Sequence, residues 1–221
     1  PPPPTVSFGK LPLIEFPKKE KLSGLQYKLE TPTGTFPKFS DRAKVFFIPY
    51  QRPNLLALDR AKKEAGQIGF TQEPEAISPK VYQWRKPNEG LMLIMDIVSG
   101  SFDLTYDWQS DQELLTARNL PGKEQAIKEA VNFIQKTKTI ELDLLDGRME
   151  VNYVKFSAGK LLTAISPSEA NFAKVDMFRK NIDELPIYTS DANKGIVSIL
   201  ISGSTDNQKR YVNVDFNYFP I

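Results

Sequence analysis

Apolar residues recur along this chain with two periods, and the places where one gives way to the other outline its elements. Phe102, Leu104, Tyr106 and Trp108 alternate with Ser101, Asp103, Thr105 and Asp107. A period of two marks a strand with one buried face. Val212, Val214, Phe216 and Tyr218 alternate in the same way with Asn213, Asp215 and Asn217. The β-branched and aromatic runs at 43–50, 80–85, 90–98, 174–180 and 195–202 predict further strands. Two segments switch to the helical period. Ala57, Ala61, Ala65 and Ile68 fall on one face behind Pro53, and Gly69 supplies the stop. Ala126, Ile127, Ala130, Val131 and Ile134 form one stripe within 121–138. Hairpins are predicted over 25–36, around Pro32, Thr33 and Gly34, and over 148–166, around Ser157 to Lys160. Residues 109–121 connect the two halves, and Ser110 and Glu113 have the spacing of a capping box, which predicts some helix there.

The halves answer each other. "AISP" stands at 76–79 and at 164–167. "KVYQWRK" at 80–86 matches "KVDMFRK" at 174–180. Gly90 and Gly195 each open an apolar run, "SGS" closes both, and "DLTYDW" precedes its counterpart "NVDFNYF". Unequal spacers indicate a diverged duplication rather than a solenoid. The expected fold is therefore α+β, with two tandem repeats at 25–116 and 117–221. Each would lay a helix on a small antiparallel sheet. A Pro- and Lys-rich segment, 1–24, precedes them as an extended stalk or tail.

The C-terminal third carries a resemblance. Phe178 and Arg179 lead to Ile182, Asp183, Leu185, Pro186 and Ile187. A strand opened by Gly195, Ile196 and Val197 follows, and the chain closes on Pro220 and Ile221. This order resembles the C-terminal part of PepSY-like domains, except that Glu184 stands where the family often has glycine. PepSY-like domains are non-enzymatic, and occur in protease-inhibiting propeptides and in membrane-tethered regulators of bacterial envelope kinases. The resemblance implies an extracytoplasmic, non-catalytic binding module at a bacterial cell envelope. More broadly, the chain resembles anchored surface proteins of bacteria with small genomes.

Composition narrows the chemistry. The 221 residues include no Cys and no His, which excludes thiolate nucleophiles, disulfides, Ser-His-Asp triads and His-ligated metals. A net charge of +2 supplies no strong field to recruit nucleic acid. No apolar run approaches the ~20 residues that span a bilayer. The chain opens on "PPPP" without an initiator Met, so a trimmed or processed chain is expected, from which a signal or membrane anchor was removed.

The remaining motifs are weak. Ser157 and Lys160 match S-x-x-K, but Ser-Ala-Gly-Lys between two strand patterns reads as a hairpin turn. Asp191 to Gly195 hints at a calcium loop, but Ser202 stands where a twelfth-position Glu is needed. Asp103 with Asp107, and Asp183 with Glu184, are nameable carboxylate pairs for a hydrolase. Neither a dinucleotide fingerprint nor a P-loop is present. No cofactor and no metal are expected. The expected function is docking of a protein or peptide partner on an open sheet face or an edge strand, with 174–180 and 210–219 as the surfaces. Trp84, Arg85, Phe178, Arg179 and Asp183 are the candidate partner-binding residues. The alternatives are a self-associating envelope or adhesin subunit and a carboxylate-based hydrolase.

Overall fold

The computed structural model describes residues 54–138 and 141–219, together with positions 28, 30–35, 38, 45, 46 and 52. The chain divides into two compact units, Pro1–Phe47 with Ile221, and Ile48–Pro220. Of the first unit, the stalk 1–24 lies outside the described residues. So do most of the hairpin expected over 25–36 and, apart from Val45 and Phe46, the strand expected over 43–50. The turn of that hairpin is described: the Gly34 N–H donates to Thr31 O at 3.0 Å.

In the second unit, the first helix is α1 (Ala57–Gln67), and a strand block follows it: β1 (Glu75–Ala76), β2 (Val81–Lys86), β3 (Leu91–Asp96) and β4 (Phe102–Tyr106). Two helices, α2 (Gln112–Thr116) and α3 (Lys123–Thr137), connect to the second half, which opens with α4 (Leu142–Leu145). Then come β5 (Met149–Ser157), β6 (Lys160–Thr163), β7 (Phe172–Met177), β8 (Val197–Ser202), the short α5 (Asn207–Arg210) and β9 (Tyr211–Phe216).

The α+β class holds, but the sheet is larger than expected. Among the described residues nine strands form one antiparallel sheet, ordered β1-β2-β3-β4-β9-β8-β7-β5-β6. Two small separate sheets would each leave a long strand edge bare. Here β4 and β9 pair directly, through Phe102↔Phe216, Asp103↔Asp215, Leu104↔Val214 and Thr105↔Asn213. The boundary expected at 116–117 falls inside this unit, between α2 and α3.

Cross-strand register turns the sequence periods into rows. Trp84, Leu93, Leu104, Val214, Ile199, Val175 and Val151 oppose one another in turn across seven strands, and all are buried. The neighbouring row on that face runs Tyr82, Met95, Phe102, Phe216, Val197, Met177 and Met149. The helices cover these rows. Phe133 of α3 meets Tyr211 at 4.4 Å between ring centroids, and Lys138 reaches over Phe102 and Phe216 at 5.8 and 5.3 Å. Between the apolar rows, on the opposite face, lies Gln83, Ile94, Asp103, Asp215, Ser198, Asp176 and Glu150. One side of the sheet is therefore apolar and helix-covered, and the other is largely polar.

The helix ends follow their sequence signals with small shifts. Ala57, Ala61 and Ala65 are buried, which lets α1 approach closely. Gly69, at φ +91°, closes α1 in a Schellman motif: Phe70 N–H donates to Ala65 O at 2.9 Å and Gly69 N–H to Gly66 O at 3.1 Å. The cap of α2 is Asp111 rather than Ser110, its carboxylate accepting from Leu114 N–H at 3.0 Å. Ser110 instead donates to Asp107.

Asp111 also ties distant elements together. Tyr106 at the end of β4 donates to it at 2.6 Å, and Lys209 of α5 donates to it at 2.7 Å. These two bonds hold its carboxyl at about 2, below the usual 3.8, and burial opposes them. The carboxylate form is bound more tightly in the folded than in the unfolded chain. Its stabilisation is therefore complete above about pH 4 and fades as pH falls toward 2. Asp111→Asn keeps the cap but removes the charge. It should cost about 1–2 kcal/mol at pH 7, after discounting for solvent screening, and flatten the acid limb of the stability–pH profile. Chemical denaturation at pH 7, 4 and 2.5 checks this. Gly195 packs so closely on β7 that an added Cβ would lie 2.6 Å from both Met177 N and O. Gly195→Ala should lower stability by about 2 kcal/mol or more, read by thermal unfolding.

Candidate functional site

The five candidate partner-binding residues do not form one surface. Trp84 and Arg85 lie on β2, and Phe178, Arg179 and Asp183 follow β7. Five strand spacings separate β2 from β7, roughly 24 Å. Trp84 and Phe178 are buried core residues, and Arg85 is exposed with its Nε donating to Gln83 at 2.7 Å. The expected surfaces on 174–180 and 210–219 need correction as well. Strand β7 pairs with β5 and β8, and β9 pairs with β4 and β8, so neither has a free edge. Their polar face is also partly covered. The Gly195 N–H donates to Asp176 at 3.1 Å, and Lys194 forms an ion pair with Asp215.

Arg179 is buried and used internally. Its Nε donates to Asp143 Oδ2 at 2.7 Å and its Nη1 to Phe219 O at 2.6 Å, while the guanidinium stacks over Tyr218 at 4.8 Å. Tyr218 donates to Asp143 Oδ1 at 2.8 Å. Burial, and then this hydrogen bond, push the Tyr218 hydroxyl up to about 12. The network fastens the chain end after β9 to α4. The "DELPIY" segment beyond it contains a two-residue reversal. Ile182 and Leu185 exchange both backbone hydrogen bonds, and Asp183 and Glu184 stand at φ +49° and +66°. Glu184 thus occupies a backbone conformation that glycine adopts without cost.

The other chemical motifs resolve as turns. Ala158 and Gly159, at φ +49° and +77°, form a type I′ hairpin between Ser157 and Lys160, which face each other across β5 and β6. At Asp191 to Gly195 the Asp191 carboxylate accepts from Asn193 N–H at 2.9 Å. Among the described residues no group of three acidic side chains is placed to hold a metal ion. Asp103 faces Asp215 across the central strand pair, whereas Asp107 lies outside β4. Partial burial, and then repulsion from Asp215, raise the Asp103 carboxyl, with Lys194 opposing.

The feature best shaped for a partner is β6, at the end of the sheet. All four of its residues are exposed, with Leu161 at 38% and Leu162 at 47%, and Ile165 just beyond stands at 95%. Among the described residues no strand pairs with its outer side. A two-residue hairpin makes Ser157 and Lys160 a hydrogen-bonded pair, and the inward bond from Ala164 N–H to Tyr153 O at 2.8 Å keeps the same phase. The N–H and C=O groups of Leu161 and Thr163 therefore point away from the sheet. On one face Leu161 continues an aromatic strip: it opposes Phe156, which stands edge-on to Trp108 at 5.0 Å, and Trp108 in turn meets Phe172 at 5.0 Å. On the other face Leu162 opposes Lys155, which is bonded to Glu169 at 2.8 Å. The consecutive leucines were a weak sequence signal, because only one of the two can share the face of Phe156. The strand order, which the sequence does not print, makes β6 an edge.

The chain matches no model of a protein family, no curated protein and no solved structure.

If Arg179 is a fastening rather than a contact residue, Arg179→Ala should cost about 2–4 kcal/mol, because it takes the cation from Asp143 and releases the chain end. Arg85→Ala should stay within about 0.5 kcal/mol. Urea midpoints of the two variants decide between these roles.

Proposed function

We propose that the chain is a non-catalytic binding module that adds an extended segment of a protein or peptide to its sheet along β6. The observation that carries this reading is the outward-facing backbone of Leu161 and Thr163 beside exposed leucines. Strand addition uses main-chain hydrogen bonds for affinity and alternate side-chain positions for selection. A segment with an aliphatic residue opposite Leu161 would extend the Phe156–Trp108 strip, and a carboxylate on the other face would meet Lys160.

In this reading the halves are two diverged copies of one helix-and-sheet unit. Strands β2, β3 and β4 follow α1, and β7, β8 and β9 follow α3. The sheet order mirrors itself about the β4–β9 seam, which supports duplication. The resemblance of the C-terminal third to PepSY-like domains supports a regulatory role at a bacterial envelope, outside the cytoplasm. No cofactor enters this role.

A second reading is favoured by the same edge. Two copies pairing antiparallel about Leu161 would exchange that residue's free N–H and C=O and join the two aromatic strips. The protein would then be a self-associating envelope subunit.

Selection from a displayed peptide library, followed by amide exchange, tests the proposal. A bound peptide should slow exchange at Leu161 and Thr163 at least tenfold, and Leu161→Pro should abolish binding without unfolding the hairpin, since an edge strand tolerates proline there. Peptides that protect neither amide would overturn strand addition. Concentration-dependent sedimentation that vanishes in Leu161→Pro would select the second reading.

A further inference from the structure

The second unit holds a cleft that the proposed function does not use. It lies where α1 and α3 end, has a volume of about 550 Å³, and is lined by Arg60, Lys63, Glu64 and Gln67 of α1 and by Gln135 to Lys138 at the end of α3. That volume is in the ordinary range for small-ligand sites, about 300–1,000 Å³.

Four cations and one carboxylate line it, and their partners are uneven. Lys138 pairs with Glu64 at 3.1 Å and also lies over Phe102 and Phe216, so it is spent on the fold. Arg60, Lys63 and Lys136 make no ion pair among the described residues. Positive side chains at helix C-termini commonly offset unsatisfied carbonyls and the helix dipole. Here other groups serve those carbonyls. In α1, Ala65 O and Gly66 O accept from Phe70 and Gly69. In α3, Phe133 O accepts from the Thr137 hydroxyl at 3.0 Å and Ile134 O from Lys138 N–H at 2.8 Å. In the amide orientation that satisfies both of its ends, Gln67 donates across from α1 to Lys136 O at 2.7 Å and Thr137 O at 3.0 Å. The carbonyls just named are served by groups other than Arg60, Lys63 and Lys136, and these three cations line one concave space.

We propose that this cleft binds a ligand through two closely spaced phosphate groups. Three unpaired cations call for more than one negative charge. Tetrahedral phosphate oxygens can accept from a guanidinium and two ammonium groups at once, whereas a single carboxylate cannot satisfy all three. The Gln135 side chain adds a neutral polar group to the rim. Two sources share this chemistry: a soluble diphosphate compound and a phosphorylated lipid headgroup. The site is independent of β6, and it draws on both halves of the chain.

Calorimetric titration with inorganic pyrophosphate at low ionic strength is the direct test, repeated at about 0.15 M salt to measure screening. Sedimentation with phosphatidylcholine vesicles, with and without phosphatidic acid, is the second arm. Arg60→Gln, Lys63→Gln and Lys136→Gln should each weaken binding about tenfold, with unfolding midpoints unchanged. The double variant Lys123→Gln, Lys180→Gln, which removes exposed cations elsewhere, should bind like the parent. Variant-sensitive pyrophosphate binding supports a soluble ligand, and variant-sensitive binding to phosphatidic acid vesicles alone supports a headgroup. No binding in either arm, binding that survives the cleft substitutions, or equal loss in the control variant would overturn the proposal.

Discussion

The pairing of β4 with β9 is the constraint on which the described body depends. These strands lie about 100 residues apart in sequence, and joining them carries a loop-closure cost that grows only slowly with length. What offsets it is concentrated at the seam. Phe102 and Phe216 stack at 5.2 Å and 12°, and the Lys138 ammonium covers both rings. Leu104 and Val214 continue the contact under the helices. The opposite face of the same seam is unfavourable, because Asp103 and Asp215 face each other there, and Lys194 mitigates the repulsion. The apolar side outweighs the like-charge pair because it is buried, while Asp103 keeps contact with water.

Once the seam is made, several charged residues that looked available in sequence are drawn into the fold. Arg210 is held between both carboxylate oxygens of Glu129, at 2.9 and 3.0 Å, and the Ser202 carbonyl at 2.6 Å. Lys209 is held by Asp111, and Arg179 by Asp143 and the chain end. These partners come from elements far apart in sequence, so each charge replaces its water with a fixed neighbour and becomes structural. What remains for ligands lies at the margins: the outer edge of β6 and the cleft where α1 and α3 end. The first offers backbone groups and aliphatic surface, the second offers three cations that make no ion pair among the described residues. They would recognise different chemistry, and neither depends on the other.

Local pattern determined a great deal of this protein. The alternations at 101–108 and 211–218, the alanine stripe closed by Gly69, the α3 stripe and the Ala158–Gly159 turn each read true, because the signal lies within a few bonds of the element it specifies. The absence of Cys and His likewise removed whole classes of chemistry before any fold was considered. Tertiary structure alone decided which strands are central and which are edges, and that reversed the site reading. Trp84, Phe178 and Arg179 have the composition of a binding surface, but the sheet buries Trp84, contacts with Arg148, Asp143 and Tyr218 enclose Phe178 and Arg179 beyond β7, and the plain "KLLT" of β6 is left at the rim. Side-chain type reports what a residue can do. Whether it meets solvent or a neighbour is set by pairings a hundred residues away, which no local period encodes.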